Sequence, residues 1–253
     1  MLDNALKDLL LAIADDKFFL GCRNSDWTGL GPMIEEDIAF SALAQDDIAH
    51  AKELYEWIAR QTDDDANRIA HGRKVEEYRC AQIVELSDEF DWAFALVRQF
   101  FCDHFDELRL RRLAKSSNQE LRELGERMLA EERLALGHAD GWILRLGRGT
   151  AESRERLQTA LDKLAPHACM LFEKTADADK LADSGVYPPL AHDMFDMWAT
   201  KIESAVEAAN LEVKLDKPNA AAKGGRAGVH SEHFAPWLTE LTEVYREEPE
   251  ATW

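Results

Sequence analysis

The sequence predicts an all-α protein: a helical bundle with additional helices toward its C-terminal side. Nearly every segment places apolar residues three or four positions apart, the period of a helix face. No β-hairpin signal and no convincing run of apolar/polar alternation interrupts that pattern. Clusters of Gly, Pro and small polar residues fall at the spacing of long helices rather than strands.

The first helix runs over about 3–23 and stops at the turn Asn24–Pro32, which holds Trp27, Gly29, Gly31 and Pro32. The second covers about 33–61, with Glu35, Glu36 and Asp37 in a first turn where the helix dipole favours negative charge. Thr62–Arg73 is a polar connection with room for a short helix. The third helix spans about 87–114 and the fourth about 119–146. A turn as short as Lys115–Asn118 makes these two antiparallel neighbours. Beyond Gly147–Thr150 come helices at about 151–175 and 188–214, the Ala/Gly/Lys-bearing loop Lys217–Gly228, and a last helix at about 231–247. The expectation is one domain over 1–253, with a core bundle at about 3–146 and accessory helices at about 151–247.

A formal charge of -19 argues against nucleic acid or an anionic membrane surface as partner. No stretch reaches the apolar length of a membrane span, and the acidic residues within MLDNALKDLLLAIADD argue against a secretory signal. Cys22, Cys80, Cys102 and Cys169 are scattered with no metal-ligand or redox spacing, so a reducing cytoplasm is expected.

Each of the first four helices carries a carboxylate in the middle of its apolar stripe. Helix one reads Leu6, Leu9, Ile13, Asp16, Leu20. Helix two reads Phe40, Leu43, Asp47, His50, Leu54, Trp57. Helix three gives Trp92, Leu96, Phe100, Asp103, Glu107, Leu110. Helix four gives Leu121, Leu124, Met128, then Glu131 or Glu132, then Ala135, Ala139 and Trp142. A buried carboxylate is unfavourable unless it is protonated, paired or bound to a cation. Four at corresponding places match the ferritin-like bundles that hold two metal ions. Those take one carboxylate from each of two helices and a Glu-x-x-His from each of the other two. Asp47 and His50 have the required spacing, with Asp for Glu. The second motif is broken, because Ala135 stands three residues beyond Glu132 and His138 lies too far along. Aspartates at 16, 47 and 103 are also one methylene short. The residues predict a degenerate centre of Asp16, Asp47, His50, Asp103 and Glu132 that binds metal weakly or not at all. The alternative is a di-metal oxidase or oxygenase working with that atypical ligand set.

The stretches LGCRNSDWTGLGPMIEEDIAFSALAQDDIAHAKELYEW, RQFFCDHFDELRLRRLAKS, EERLALGHADGWILRLGRGT and KGGRAGVHSEHFAPWLTELTEV resemble the PaaC subunits of bacterial ring-1,2-phenylacetyl-CoA epoxidases. The likeness runs from about residue 10 to the C-terminal end. It implies a ferritin-like, non-catalytic structural subunit in aerobic phenylacetate degradation. It further implies no cofactor in this chain, with the di-iron centre in a catalytic sister subunit (PaaA-like). The implied assembly is a heterotetramer of two of each, served by a reductase among other components. One departure stands at His50, where that family usually carries glutamine.

Lys214, Lys217, Lys223 and Arg226 form a basic cluster in an acidic chain, open to three readings: contact with coenzyme A phosphates, contact with the partner, or plain solvation. His230 and His233 have no accompanying carboxylate motif, so capping or packing is expected of them. The tryptophans Trp27, Trp92, Trp142, Trp198 and Trp237 read as core and interface anchors.

Overall fold

A computed structural model describes residues 2–87, 89–219, 221–249 and 251. In chain order the α-helices are α1 (Asn4–Ser25), α2 (Ile34–Thr62), α3 (Ala66–His71), α4 (Gln82–Glu85), α5 (Trp92–Leu113) and α6 (Gln119–Gly147). They continue with α7 (Ala151–Cys169), α8 (Ala178–Asp183), α9 (Met194–Ala208), α10 (Phe234–Leu241) and α11 (Glu243–Glu247). Three single 3₁₀ turns, Val75–Glu77, Met170–Phe172 and Gly225–Ala227, complete the regular structure. No strand occurs among the described residues, so the all-α, ferritin-like class stands.

The helix starts follow local chemistry. The side chains of Asp3, Asn118, Thr150 and Asp193 accept from backbone N–H groups one turn into α1, α6, α7 and α9. α2 lacks such a cap, and Asp37 in its first turn accepts from Gly31 N at 2.6 Å instead, tying the preceding turn to the helix. α5 begins at Trp92 rather than near 87. Glu89 and Phe90 both adopt left-handed φ (49° and 59°), which a helix cannot accommodate, and Asp91 caps Ala93 N at 2.9 Å. The helix expected over 188–214 is shorter: Asp193 caps its start, and left-handed Asn210 (φ 59°) lies just past its end. The last predicted helix is two pieces, broken at buried Thr242.

The chain divides into two compact units. The first comprises Met1–Ser87, Glu173–Ala178 and Ala221–Trp253; the second comprises Asp88–Phe172 and Asp179–Ala220. The C-terminal segment, expected as an accessory helix, thus belongs with α1 and α2. In the first unit α1 packs along α2, and α4 also packs on α1. Phe19 of α1 meets Phe234 of α10 edge-on at 5.0 Å, and Tyr78 meets Phe234 at 5.7 Å. All three rings are fully buried. Burying a ring of this size contributes about 1.5–3 kcal/mol, so α10 is held by its core contacts.

In the second unit α5 packs against α6, α7 and α9. Trp198 of α9 is buried; its indole N–H donates to Phe101 O at 3.1 Å, and its ring sits 5.2 Å from Phe172. Trp92 and Trp142 meet edge-on across α5 and α6 at 6.1 Å. The reading of these tryptophans as packing anchors agrees with such contacts.

Candidate functional site

All five stripe residues are buried in the helix middles: Asp16 in α1, Asp47 and His50 in α2, Asp103 in α5 and Glu132 in α6. Glu131 is exposed, so Glu132 is the core-facing member of that pair. Ala135 is buried on the same stripe. Asp16, Asp47 and His50 belong to the first unit, Asp103 and Glu132 to the second.

In the first unit the carboxylates are met by cations of the chain itself. Asp16 Oδ1 accepts from Arg226 Nη1 at 2.8 Å and Oδ2 from Arg226 Nη2 at 2.6 Å, a bidentate pair with both side chains under 5% exposed. Oδ1 also accepts from Ala81 N at 2.7 Å. Arg226 spends its remaining reach on the carbonyls of Ala12 (3.2 Å) and Arg79 (2.6 Å). Asp47 Oδ1 accepts from Lys17 Nζ at 2.8 Å, and the lysine is 1% exposed. A buried lysine beside an aspartate is stable because each charge offsets the desolvation penalty of the other.

Asp15, next in the chain, gathers a separate network. It accepts from Tyr55 Oη at 2.6 Å, from both terminal nitrogens of Arg73, and from Arg79 N at 2.6 Å. Burial and then the Asp15 charge push the Tyr55 phenol well above its ordinary range, so it stays a donor. Burial opposes the charge on Arg73, but the Asp15 carboxylate outweighs it and keeps the guanidinium protonated.

In the second unit Asp103 Oδ1 accepts from the Gln99 amide one turn earlier on α5. Neighbouring His104 pairs through Nε2 with Asp140 of α6 at 2.8 Å. Asp106 pairs with Arg109, and Glu107 with Lys201 of α9 at 3.0 Å.

Outside the stripes, Cys80, Glu85 and His230 come together in the first unit. Glu85 Oε1 is 2.7 Å from His230 Nδ1 and 3.7 Å from Cys80 Sγ, and Oε2 accepts from Ser231 N at 2.7 Å. His230 therefore has a carboxylate partner, contrary to the expectation from spacing, and its ring also stacks on Phe234. His233 stands at the start of α10 but makes no side-chain cap. Burial, then Glu85, push the Cys80 thiol well above its usual range, so it remains neutral here.

The basic cluster does not form one patch. Arg226 is buried on Asp16, Lys217 pairs with Asp193 at 2.8 Å, and Lys214 pairs with Asp216 at 3.1 Å. Lys214 and Lys217 belong to the second unit, Lys223 and Arg226 to the first.

Spacing alone does not mark Lys17, Arg226, Asp15 or Glu85 as site residues. Lys17 carries a local signal, since with Asp15 and Asp16 it interrupts the apolar runs Leu9–Ala14 and Phe18–Leu20 of α1. Arg226 carries a weaker one: glycines at 224, 225 and 228 surround it, as where a chain presses on another backbone. A Cβ on Gly225 would fall on the Cys80 carbonyl, and Gly228 takes φ +75° against Glu76.

A di-metal centre needs ionised carboxylates open to the metal. On α1 and α2 that requirement fails, since Arg226 engages both oxygens of Asp16 and Lys17 adds a second positive charge at Asp47.

Fold and site define an all-helical protein whose mid-helix carboxylates on α1 and α2 are compensated by internal cations. The model of the phenylacetic acid catabolic protein family matches residues 1–253, and the chain belongs to that family. It is 26% identical over 251 residues to the C subunit of the 1,2-phenylacetyl-CoA epoxidase of Escherichia coli (strain K12), covering 99% of this chain and 100% of the relative. No helix among the described residues is long and apolar enough to cross a membrane.

Proposed function

We propose that this chain is the structural, non-catalytic subunit of a multicomponent phenylacetyl-CoA 1,2-epoxidase, and that it pairs with and stabilises a di-iron catalytic subunit. The observation that carries this reading is the engagement of the α1 and α2 carboxylates by side-chain cations, Arg226 on Asp16 and Lys17 on Asp47. Whole-length similarity to the C subunit of such an epoxidase supports the pathway and the multicomponent setting. On this reading the chemistry belongs to the ferritin-like sister subunit, in a heterotetramer of two of each fed by a reductase in the cytoplasm. This chain supplies rigid helix faces, and its own polar core fixes them in register rather than reacting.

Co-expression with the catalytic subunit tests the proposal. A stable complex is expected, with iron assigned to the partner and far less than one iron per copy of this chain when it is purified alone. Two tightly bound irons per chain, or oxygen-dependent epoxidation by this chain alone that Asp47→Asn abolishes, would overturn it.

A further inference from the structure

Cys80, Glu85 and His230 lie outside the carboxylate stripes, and the structural role proposed above makes no use of them. They come from three places in the first unit: the segment after the Val75–Glu77 turn, the end of α4, and the C-terminal segment. Their meeting is built into the backbone. Gly225 and Gly228 let the C-terminal segment lie directly on residues 76–81, with no side chain between the two backbones, which delivers His230 to Glu85.

The three donors are a thiol, a carboxylate and an imidazole, all within 4.8 Å of one another. Each side chain is nearly or fully buried. Zinc takes these ligand types at about 2.0–2.3 Å in tetrahedral geometry, which sets ligand-to-ligand edges of roughly 3.3–3.6 Å. The two edges to sulfur are 3.7 Å and 3.9 Å, within a few tenths of an ångström of that. The nitrogen-to-oxygen edge is shorter, 2.7 Å, as expected while a proton bridges it. The ligands are already oriented, with Ser231 N holding the second oxygen of Glu85 and Phe234 stacked on the imidazole at 4.4 Å. His230 Nε2 and Ser231 Oγ are buried without a hydrogen-bond partner among the described residues.

We propose that Cys80 Sγ, Glu85 and His230 Nδ1 form a binding site for one zinc-type divalent cation that staples the C-terminal segment to α4, with water in the fourth position. Binding is a proton exchange without redox change. The cation enters with two positive charges. One proton leaves the Cys80 thiol and one leaves the hydrogen bond between His230 and Glu85.

Cobalt(II), followed by zinc(II), is the probe, added to the chelator-treated full chain. One equivalent of cobalt is expected to give a thiolate-to-metal charge-transfer absorption that zinc then bleaches, and zinc is expected to raise the thermal midpoint. Cys80→Ser should remove the absorption while the circular dichroism of the helices is retained. Glu85→Gln should weaken binding by on the order of tenfold or more. Cys169→Ser, a cysteine of the second unit, should change neither reading. No absorption in the unmodified chain overturns the site without reference to any variant. An absorption that survives Cys80→Ser overturns it as well, because the metal is then held by another cysteine.

Discussion

Replacing Arg226 with leucine removes the guanidinium that meets both oxygens of Asp16, and leaves the carbonyls of Ala12 and Arg79 without that donor. Both charged side chains are almost fully buried, so Asp16 cannot turn to water for compensation. Breaking a buried ion pair from one side typically costs about 3–5 kcal/mol. For a chain of this size each kcal/mol moves the thermal midpoint by about 2–4 °C, so a fall of roughly 6–20 °C is expected. Asp16→Asn is the informative second change, because its amide oxygen still accepts from Ala81 N–H while the charge is gone. The double variant should therefore be more stable than the sum of the single losses by about 2 kcal/mol, read from urea unfolding followed by tryptophan fluorescence. Additivity within about 0.5 kcal/mol, or a single-variant cost under about 1 kcal/mol, would show that the pair behaves like a surface contact, and the reasoning would fail.

Lys17→Met should destabilise by about 3 kcal/mol by stripping Asp47 of its ammonium, and Lys17→Met with Asp47→Asn should regain most of that in the same unfolding assay. His71 is held below its ordinary value of 6.5 by burial and then by Arg73. Below pH 6.5 the unfolded chain therefore takes up a proton that the folded chain refuses. Stability should fall as pH drops from 6.5 toward the lowered value, and His71→Gln should flatten that slope in denaturation curves between about pH 5 and 8. Gly225→Ala should loosen the C-terminal segment, because its methyl would meet the Cys80 carbonyl, and limited proteolysis after residue 220 should speed up. Gly137→Ala on α6 has open space among the described residues and should instead stabilise by up to about 1 kcal/mol.

The helices and their inward faces are legible in the sequence because periodicity is a local property. Leu121, Leu124, Met128, Glu132, Ala135, Ala139 and Trp142 form one stripe by spacing, and all are buried. The same holds for Asp16 and Asp47, where a charged residue interrupts an apolar series. Their counter-ions are hidden for a physical reason. Arg226 reaches Asp16 across 210 residues of chain, and no pattern in either segment encodes that meeting. The late start of α5 is hidden too. Left-handed Glu89 and Phe90 are not residue types that announce such a backbone, whereas a glycine would have done so. Glu85 has the look of an ordinary helix-end acid, and only the fold of the C-terminal segment brings His230 beside it.

The Asp16–Arg226 clasp also bears on the order of events during synthesis. Closing a loop of 210 residues costs roughly 5 kcal/mol in chain entropy, and it cannot begin until residue 226 has left the ribosome. By then α1 and α2 have long been made, along with the entire stretch that forms the second unit. Until then Asp16 lacks the guanidinium that meets both of its oxygens. The core of the first unit is complete only once the segment carrying Arg226 and Phe234 has been made.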